Sequence, residues 1–174
     1  PMQDWHTVFS TSEREAQRRW GNPSVWDEAR IERLVWGEIP PRFHGRLEAV
    51  PFFFLATSDC SGRCDCSFKG GGPGLVRILD AGTLEFPDFD GNNAFMSLGN
   101  ILENPRVGLL FIDFADGARL RVNGRATIHD DPPRLARFPH AKRAVQVRVE
   151  QVVPNCAAHV PRLVPVAAGA ENGS

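Results

Sequence analysis

A hydroxyl, a cation and a run of glycines follow one another between residues 67 and 74. Ser67 and Lys69 come first, Gly70 and Gly71 follow, and G-P-G completes the segment. Glycine permits positive φ and close backbone approach, so several N–H groups could converge on an oxyanion. The spacing matches neither a phosphate loop nor a dinucleotide-binding motif. Both a phosphate site and a flexible turn are compatible with this segment.

A second group of candidates precedes a helix that we predict over residues 93–103. Asn92 and Asn93 stand at its start, after a loop that contains Pro87 and Asp88. The free N–H groups and the positive dipole end of a helix favour a phosphate at this place. The simpler interpretation is that Asn92 only caps the helix. The two roles are compatible with each other.

A third group lies on a strand predicted over residues 118–129. Leu120 and Val122 face one way, and Arg119, Arg121 and Asn123 face the other. Alternation along a strand places every second residue on the same face. The polar face is therefore equally compatible with a ligand site and with a solvated surface. Arg77, on an earlier predicted strand, is a further candidate cation.

The cysteines do not predict a metal site. Cys60, Cys64 and Cys66 form C-x3-C-x-C, whereas structural zinc sites pair cysteines at other spacings and need a second pair. We therefore expect no metal and reduced thiols. Cys156 follows Asn155 near the C-terminus, where it is either part of a ligand site or a small buried side chain.

The pattern of elements predicts a mainly β fold with flanking helices. Several short antiparallel strands around one internal helix are typical of a small barrel. We predict a single domain over 1–174, with a helical segment at 1–45, a barrel core at 46–165 and a disordered tail at 166–174. The predicted helices span 12–20, 24–36 and 93–103, and the predicted strands 52–57, 64–69, 75–79, 83–86, 107–113, 118–129 and 145–150.

Composition narrows the class of partner. The 174 residues carry 20 basic and 21 acidic side chains, for a net charge of −1. No basic excess points to nucleic acid or to an anionic membrane surface. No run of about 18 apolar residues could span a bilayer, and no signal pattern opens the chain. We therefore expect a cytoplasmic protein with no nucleic-acid and no membrane partner.

Much of the chain resembles the pyridoxamine 5′-phosphate oxidase-like FMN-binding split-barrel family. The resemblance is carried by F-F-F-L-A-T-S-D-C-S-G-R-C-D-C-S-F-K-G-G, G-L-V-R-I-L-D, L-E-F-P-D-F-D-G-N-N, S-L-G-N-I-L-E-N-P-R-V-G-L-L-F-I-D and L-R-V-N-G-R-A. It covers about 75 residues closely and extends more weakly to V-E-Q-V-V-P-N-C-A-A-H. A helix that closes on N-P-R, followed by an apolar strand, a hairpin and V-x-G-x-A, is its most specific part.

The resemblance implies a six-stranded antiparallel split barrel and a homodimer with FMN in two clefts between subunits. It also implies flavin contacts for the three groups above and for the C-terminal stretch. The implied cofactor-binding residues are Ser67, Lys69, Gly70, Gly71, Arg77, Pro87, Asp88, Asn92, Asn93, Arg121, Asn123, Asn155 and Cys156.

Two departures bear on the activity that the resemblance implies. Asparagines replace the family's phosphate-gripping basic residues, and both the R-x-x-L-L-K strand and the C-terminal arginine-histidine pair are missing. We therefore expect no vitamin B6 oxidation. We predict an FMN-dependent oxidoreductase that takes hydride from a reduced nicotinamide or a small-molecule substrate. The alternative is a non-catalytic carrier of flavin, deazaflavin or haem. No catalytic side chain is assigned.

Overall fold

The centre of the protein is one antiparallel sheet. The structure is a computed structural model that describes residues 8–166. Its strands are β1 (Phe52–Ser58), β2 (Cys64–Gly70), β3 (Arg77–Asp80), β4 (Thr83–Asp88), β5 (Arg106–Ile112), β6 (Arg119–His129) and β7 (Arg143–Asn155). They lie in the order β2-β1-β5-β6-β7-β4-β3.

The mainly β antiparallel fold with flanking helices is confirmed, but the structure has seven strands in an unclosed sheet and not the six strands of the expected split barrel. Over the described residues the sheet has seven strands and stays open, with β2 and β3 as its edges. The long strand β7 causes much of this difference, because it pairs with β6 along one side and with β4 along the other. The β3–β4 hairpin is thereby added beyond β7.

The sheet has two faces of different character. The inner face carries the core, which includes Phe53 and Leu55 of β1 and Leu109 of β5. The continuous apolar run of β1 is typical of a strand buried on both faces, but its alternate residues are only half-buried or exposed. A single chain therefore leaves the other face, here called the outer face, partly uncovered.

The helices differ most from the prediction. They are α1 (Thr11–Trp20), α2 (Glu28–Leu34), α3 (Pro41–Ala49), α4 (Met96–Glu103) and α5 (Pro132–Leu135), with a 3₁₀ turn at Pro23–Trp26. Ser10 and Glu13 form the capping box of α1, so the helix begins at Thr11, one residue before the predicted start. Gly21 ends that helix in extended conformation (φ −141°) and is not left-handed. Asp27 caps α2 and splits the helix predicted over 24–36.

Pro41 opens α3, a helix that we did not predict, because the first helical position needs no N–H donor. The predicted disordered tail lies outside the described residues, apart from Val166. Within the described part of the chain, no helix is long and apolar enough to cross a membrane.

Helix α4 packs on the inner face and positions the candidate site. Leu98 and Ile101 are buried in the core. The Asn100 side-chain amide donates to the Thr57 hydroxyl of β1 at 3.0 Å. Predicted from residue 93, the helix begins only at Met96. Its N-terminus therefore lies beside β2.

A β-bulge at Gly124 predicts a large difference between two glycine substitutions. A Cβ on Gly124 would lie 2.2 Å from the Arg148 carbonyl oxygen, where the β6–β7 register shifts. Gly99 lies within α4 with no atom within 4 Å of its Cβ position. We expect Gly124→Ala to lower the free energy of unfolding by about 1–3 kcal/mol through overpacking. Gly99→Ala should raise it by up to about 1 kcal/mol through helix propensity.

Urea denaturation of the two variants beside the wild type measures both effects. Equal unfolding free energies for the two variants would contradict the bulge geometry.

Candidate functional site

A cleft of about 420 Å³ lies between β2, the end of β4 and the N-terminus of α4. This volume is within the range of roughly 300–1,000 Å³ that is typical of small-molecule sites. The structure brings seven of the thirteen predicted site residues into its lining, namely Ser67, Lys69, Gly70, Pro87, Asp88, Asn92 and Asn93.

The N-terminus of α4 is open toward an anion. No side chain caps it, and Phe95, the residue before it, is left-handed at φ 51°. Asn93 is also left-handed at φ 60°. Left-handed residues next to right-handed ones turn successive N–H groups toward one concavity. The backbone around α4 therefore offers donors to an anion.

Asn92 does not cap the helix as we considered. Its side-chain oxygen accepts a hydrogen bond from the Ala94 N–H at 3.0 Å, within the preceding loop. The first turn of α4 keeps its N–H groups free of any side-chain partner in the described chain. Asn92 thus shapes the loop that leads into the helix.

The glycine loop plays a different part from the one that the sequence indicated. The N–H groups of Gly71 and Gly72 both donate to the Pro51 carbonyl, and that of Gly74 donates to the Glu48 carbonyl. These donors are therefore not available to an oxyanion. A Cβ on Gly71 would lie 2.9 Å from a Leu75 methyl group, so glycine is needed there for packing.

Lys69 is the cation of the cleft. It extends from β2, and within the described chain no hydrogen bond or ion pair engages its ammonium group. The chain's other lysine, Lys142, pairs with Asp90 at 3.4 Å outside the cleft lining. Lys69 is thus available to a bound anion.

A chain of polar side chains that the sequence analysis missed closes one end of the cleft. The buried Ser97 hydroxyl donates to Asp65 Oδ2 at 3.1 Å and lies 3.0 Å from the Ser67 hydroxyl. Because Ser97 uses its hydrogen on Asp65, Ser67 must donate to Ser97. No sequence signal indicated these contacts, because the helix predicted from residue 93 places Ser97 beyond its first turn.

The remaining predicted residues lie elsewhere. Arg121, Asn123 and Asn155 belong to the outer face of β6 and β7. Asn123 donates to the Gln151 side chain at 3.0 Å, and the buried Asn155 Oδ1 has no partner among the described residues. Three strand spacings separate β6 from β2, which amounts to about 14 Å.

Cys156 and Arg77 also lie outside the cleft lining. Cys156 is exposed, and its carbonyl accepts a hydrogen bond from Arg119 Nε at 3.1 Å. Arg77 lies on β3 with its guanidinium 5.5 Å from the Phe138 ring centroid. One chain therefore does not bring these two residues to the cleft.

The cysteines of the β1–β2 hairpin are separate thiols. Cys60, Cys64 and Cys66 are all free and exposed. Desolvation, together with a hydrogen bond to the Glu103 carbonyl, raises the pKa of Cys60, so its thiol stays protonated at neutral pH. Across the described residues, no three histidine, cysteine or acidic side chains are grouped so as to hold a metal ion.

Comparison with known proteins identifies the family of this fold. The family model for pyridoxamine 5′-phosphate oxidase matches residues 39–162, which is most of the chain. The chain belongs to this family. This membership confirms the resemblance drawn from the motifs. The matched residues include all seven strands and α4. Among curated proteins, none matches.

Several solved structures have a similar fold. A Lactobacillus delbrueckii protein, provisionally named a pyridoxamine 5′-phosphate oxidase, is 23% identical with a TM-score of 0.54 and covers 67% of this chain and 94% of its own. A HupZ variant from Group A Streptococcus is 18% identical at 0.53 and covers 67% and 99%. A Syntrophomonas wolfei protein named as FMN-binding is 12% identical at 0.47 and covers 82% and 95%.

The serine chain of this family member predicts unequal costs for its two hydroxyls. Ser97→Ala leaves both the Asp65 carboxylate and the Ser67 hydroxyl without a partner, so we expect a loss of about 1–3 kcal/mol in the free energy of unfolding. Ser67→Ala leaves the Ser97–Asp65 bond intact and should cost about 0.5–1.5 kcal/mol. Urea denaturation measures both, and a larger loss for Ser67→Ala would refute the direction of donation.

Proposed function

We propose that the cleft binds the phosphate of FMN and that the protein is an FMN-dependent oxidoreductase acting as a homodimer. The observation that carries the proposal is the open N-terminus of α4 beside the unpaired Lys69. Fixed N–H donors and a positive dipole end are the usual partners of a phosphate. Membership of a family that includes FMN-binding proteins supports flavin as the rest of the ligand.

The flavin ring requires donors that the cleft of one chain does not supply. Arg121 and Asn123 have suitable donors, but they lie about 14 Å away across the sheet. A second copy of the chain, related by a two-fold axis, would bring its own Arg121 and Asn123 to the first copy's cleft, because such interfaces exchange equivalent surfaces. The site would then be complete only in the dimer.

The outer face has the character of a surface that associates. Phe52 and Phe54 of β1 lie there beside Phe68 of β2, with ring centroids of Phe52 and Phe68 5.1 Å apart. Phe68 is 62% exposed and also reaches the cleft lining. Leu110 of β5 pairs with Phe54 in the same row. Covering contiguous apolar surface of this kind favours association.

Each part of the chain has a defined task in this proposal. FMN, when bound, supplies hydride or electron transfer at its N5 position. The α4 N-terminus and Lys69 hold the phosphate, and Arg121 of the second copy stabilises negative charge on the reduced ring. A reduced nicotinamide or another small molecule would supply the hydride.

The alternative is a carrier that binds flavin, deazaflavin or haem without catalysis. The cleft lining offers only Asp65, Lys69 and Asp88 as ionisable groups and contains no histidine. Haem iron is usually held by a histidine, cysteine, methionine or tyrosine, and of these the lining contains only Met96. Without a histidine or a thiolate, the lining favours a flavin over haem. Stopped-flow reduction of the flavin-loaded protein by NADH or NADPH distinguishes an enzyme from a carrier. A flavin that stays oxidised would refute the enzyme hypothesis.

The two lysines of the chain allow a matched test of the phosphate contact. We expect Lys69→Ala to lose most bound FMN, because it removes the one unpaired cation of the described cleft. Lys142→Ala makes the same change outside the lining and should keep FMN at the wild-type level. The measurement is the flavin-to-protein absorbance ratio after dialysis. Full occupancy in Lys69→Ala would refute the assignment.

A mixing experiment tests whether the site is shared between copies. Lys69→Ala and Arg121→Ala should each bind little FMN alone. After co-refolding in equal amounts, half of the dimers are mixed and each has one intact site, so about a quarter of wild-type occupancy should return. No recovery in a mixture that sedimentation shows to be dimeric would contradict a shared site.

A further inference from the structure

The charges that line the cleft do not by themselves favour an anion. Asp65 and Asp88 contribute two carboxylates, and Lys69 contributes one ammonium group. The lining alone is thus net negative by one charge. A phosphate dianion would be repelled at such a surface unless another cation lay close behind it. Something outside the lining must therefore compensate for a carboxylate.

Arg143 supplies that compensation from behind the wall of the cleft. Its Nε and Nη2 atoms both lie 2.8 Å from Asp88 Oδ2. The Asp88 side chain is only 14% exposed and that of Arg143 27%, so the pair is partly shielded from solvent. Charge-assisted contacts with two guanidinium nitrogens are strong and fixed in geometry. Asp88 is therefore neutralised rather than free to act on a ligand.

The strand pairing builds this contact into the fold. Asp88 is the last residue of β4 and Arg143 the first of β7, and the two are directly opposite in the antiparallel register. The next residue back, Lys142, donates its backbone N–H to the Asp88 carbonyl at 2.9 Å. The sheet therefore holds the pair in place without help from a ligand.

Arg143 also touches the residue that opens α4. Its guanidinium carbon lies 5.1 Å from the ring centroid of Phe95, within cation–π range. Phe95 holds the left-handed conformation that turns backbone N–H groups toward the cleft. A bulky residue adopts this conformation only when its surroundings impose it. One side chain thus connects the wall carboxylate with the backbone donors.

We infer that the Arg143–Asp88 pair sets the preference of the cleft for a phosphate-bearing ligand over the same ligand without phosphate. Arg143 is a positioning residue here, since it acts through Asp88 and Phe95 and does not line the cleft. The inference rests on the proposed function, in which this cleft holds the phosphate of FMN. It adds a determinant of selectivity that lies behind the contact surface.

The test compares FMN with riboflavin, which has the same ring and no phosphate. Dissociation constants for both come from quenching of flavin fluorescence in the full-length protein. Arg143→Gln leaves Asp88 uncompensated, so the FMN-to-riboflavin affinity ratio should fall about tenfold or more. Asp88→Asn removes the opposing charge, so the ratio should rise above the wild-type value. The double variant should return close to wild type, because contacting charges are not independent.

Control variants separate selectivity from a general loss of structure. Lys142→Gln removes a neighbouring cation whose partner Asp90 is 77% exposed, and it should leave the ratio within about twofold because exposed pairs contribute little. Arg143→Lys keeps the charge and should retain part of the ratio. Riboflavin affinity should stay near the wild-type value in all variants. A purely structural role of Arg143 would instead lower the affinities for riboflavin and FMN together.

The outcomes are distinguishable. Equal weakening of FMN and riboflavin in Arg143→Gln would overturn the inference and leave the proposed function standing. If that variant does not fold, Asp88→Asn decides, and an unchanged or lower ratio there overturns the inference. A wild-type protein that binds neither flavin would overturn the proposed function and this inference together.

Discussion

The packing of α4 against the inner face of β1 is the contact on which the candidate site depends. Leu98 and Ile101 bury their side chains in the core, and burial of each contributes about 1.5–3 kcal/mol. The Asn100 amide fixes the helix on Thr57 of β1. With the helix fixed in this way, its first turn lies beside β2, where Ser97 contacts Ser67 and Asp65. The open helix end near Lys69 is thus a consequence of core packing.

The same sheet explains why one chain carries only part of the predicted site. In β1 and β2, residues alternate between the core face and the outer face, so Ser67 and Lys69 line the cleft while Phe68 faces outward. Arg121 follows the outer pattern three strands away. Within one chain, a shift in strand register could not bring Arg121 to the cleft face without also exposing core residues. This alternation is the reason for proposing that the site is shared between two copies.

Features with a local sequence signal could be predicted, and features that depend on distant contacts could not. Strand periodicity is local, and the apolar runs that start at Phe52 and Val107 are strands as predicted. Helix α3 was missed because proline is both a stop and a favoured first residue, and the sequence around Pro41 does not distinguish the two. The role of the glycine loop could not be predicted from local sequence, because its N–H groups bond to Pro51 and Glu48, whose positions depend on the whole fold.

In the proposed site, anion binding is divided between backbone and side chains. The N–H groups around α4 are held by the fold, so they attract any anion of suitable size and remain whatever side chains stand nearby. Discrimination must then come from groups whose charge depends on residue type, and Asp65, Lys69 and the Arg143–Asp88 pair are such groups at this cleft. Because asparagines occupy the positions that carry basic residues in the resembling oxidases, the backbone would bear more of the binding in the proposed site. The Arg143–Asp88 ion pair behind the wall would therefore change the preference of the whole cleft for a phosphate-bearing ligand.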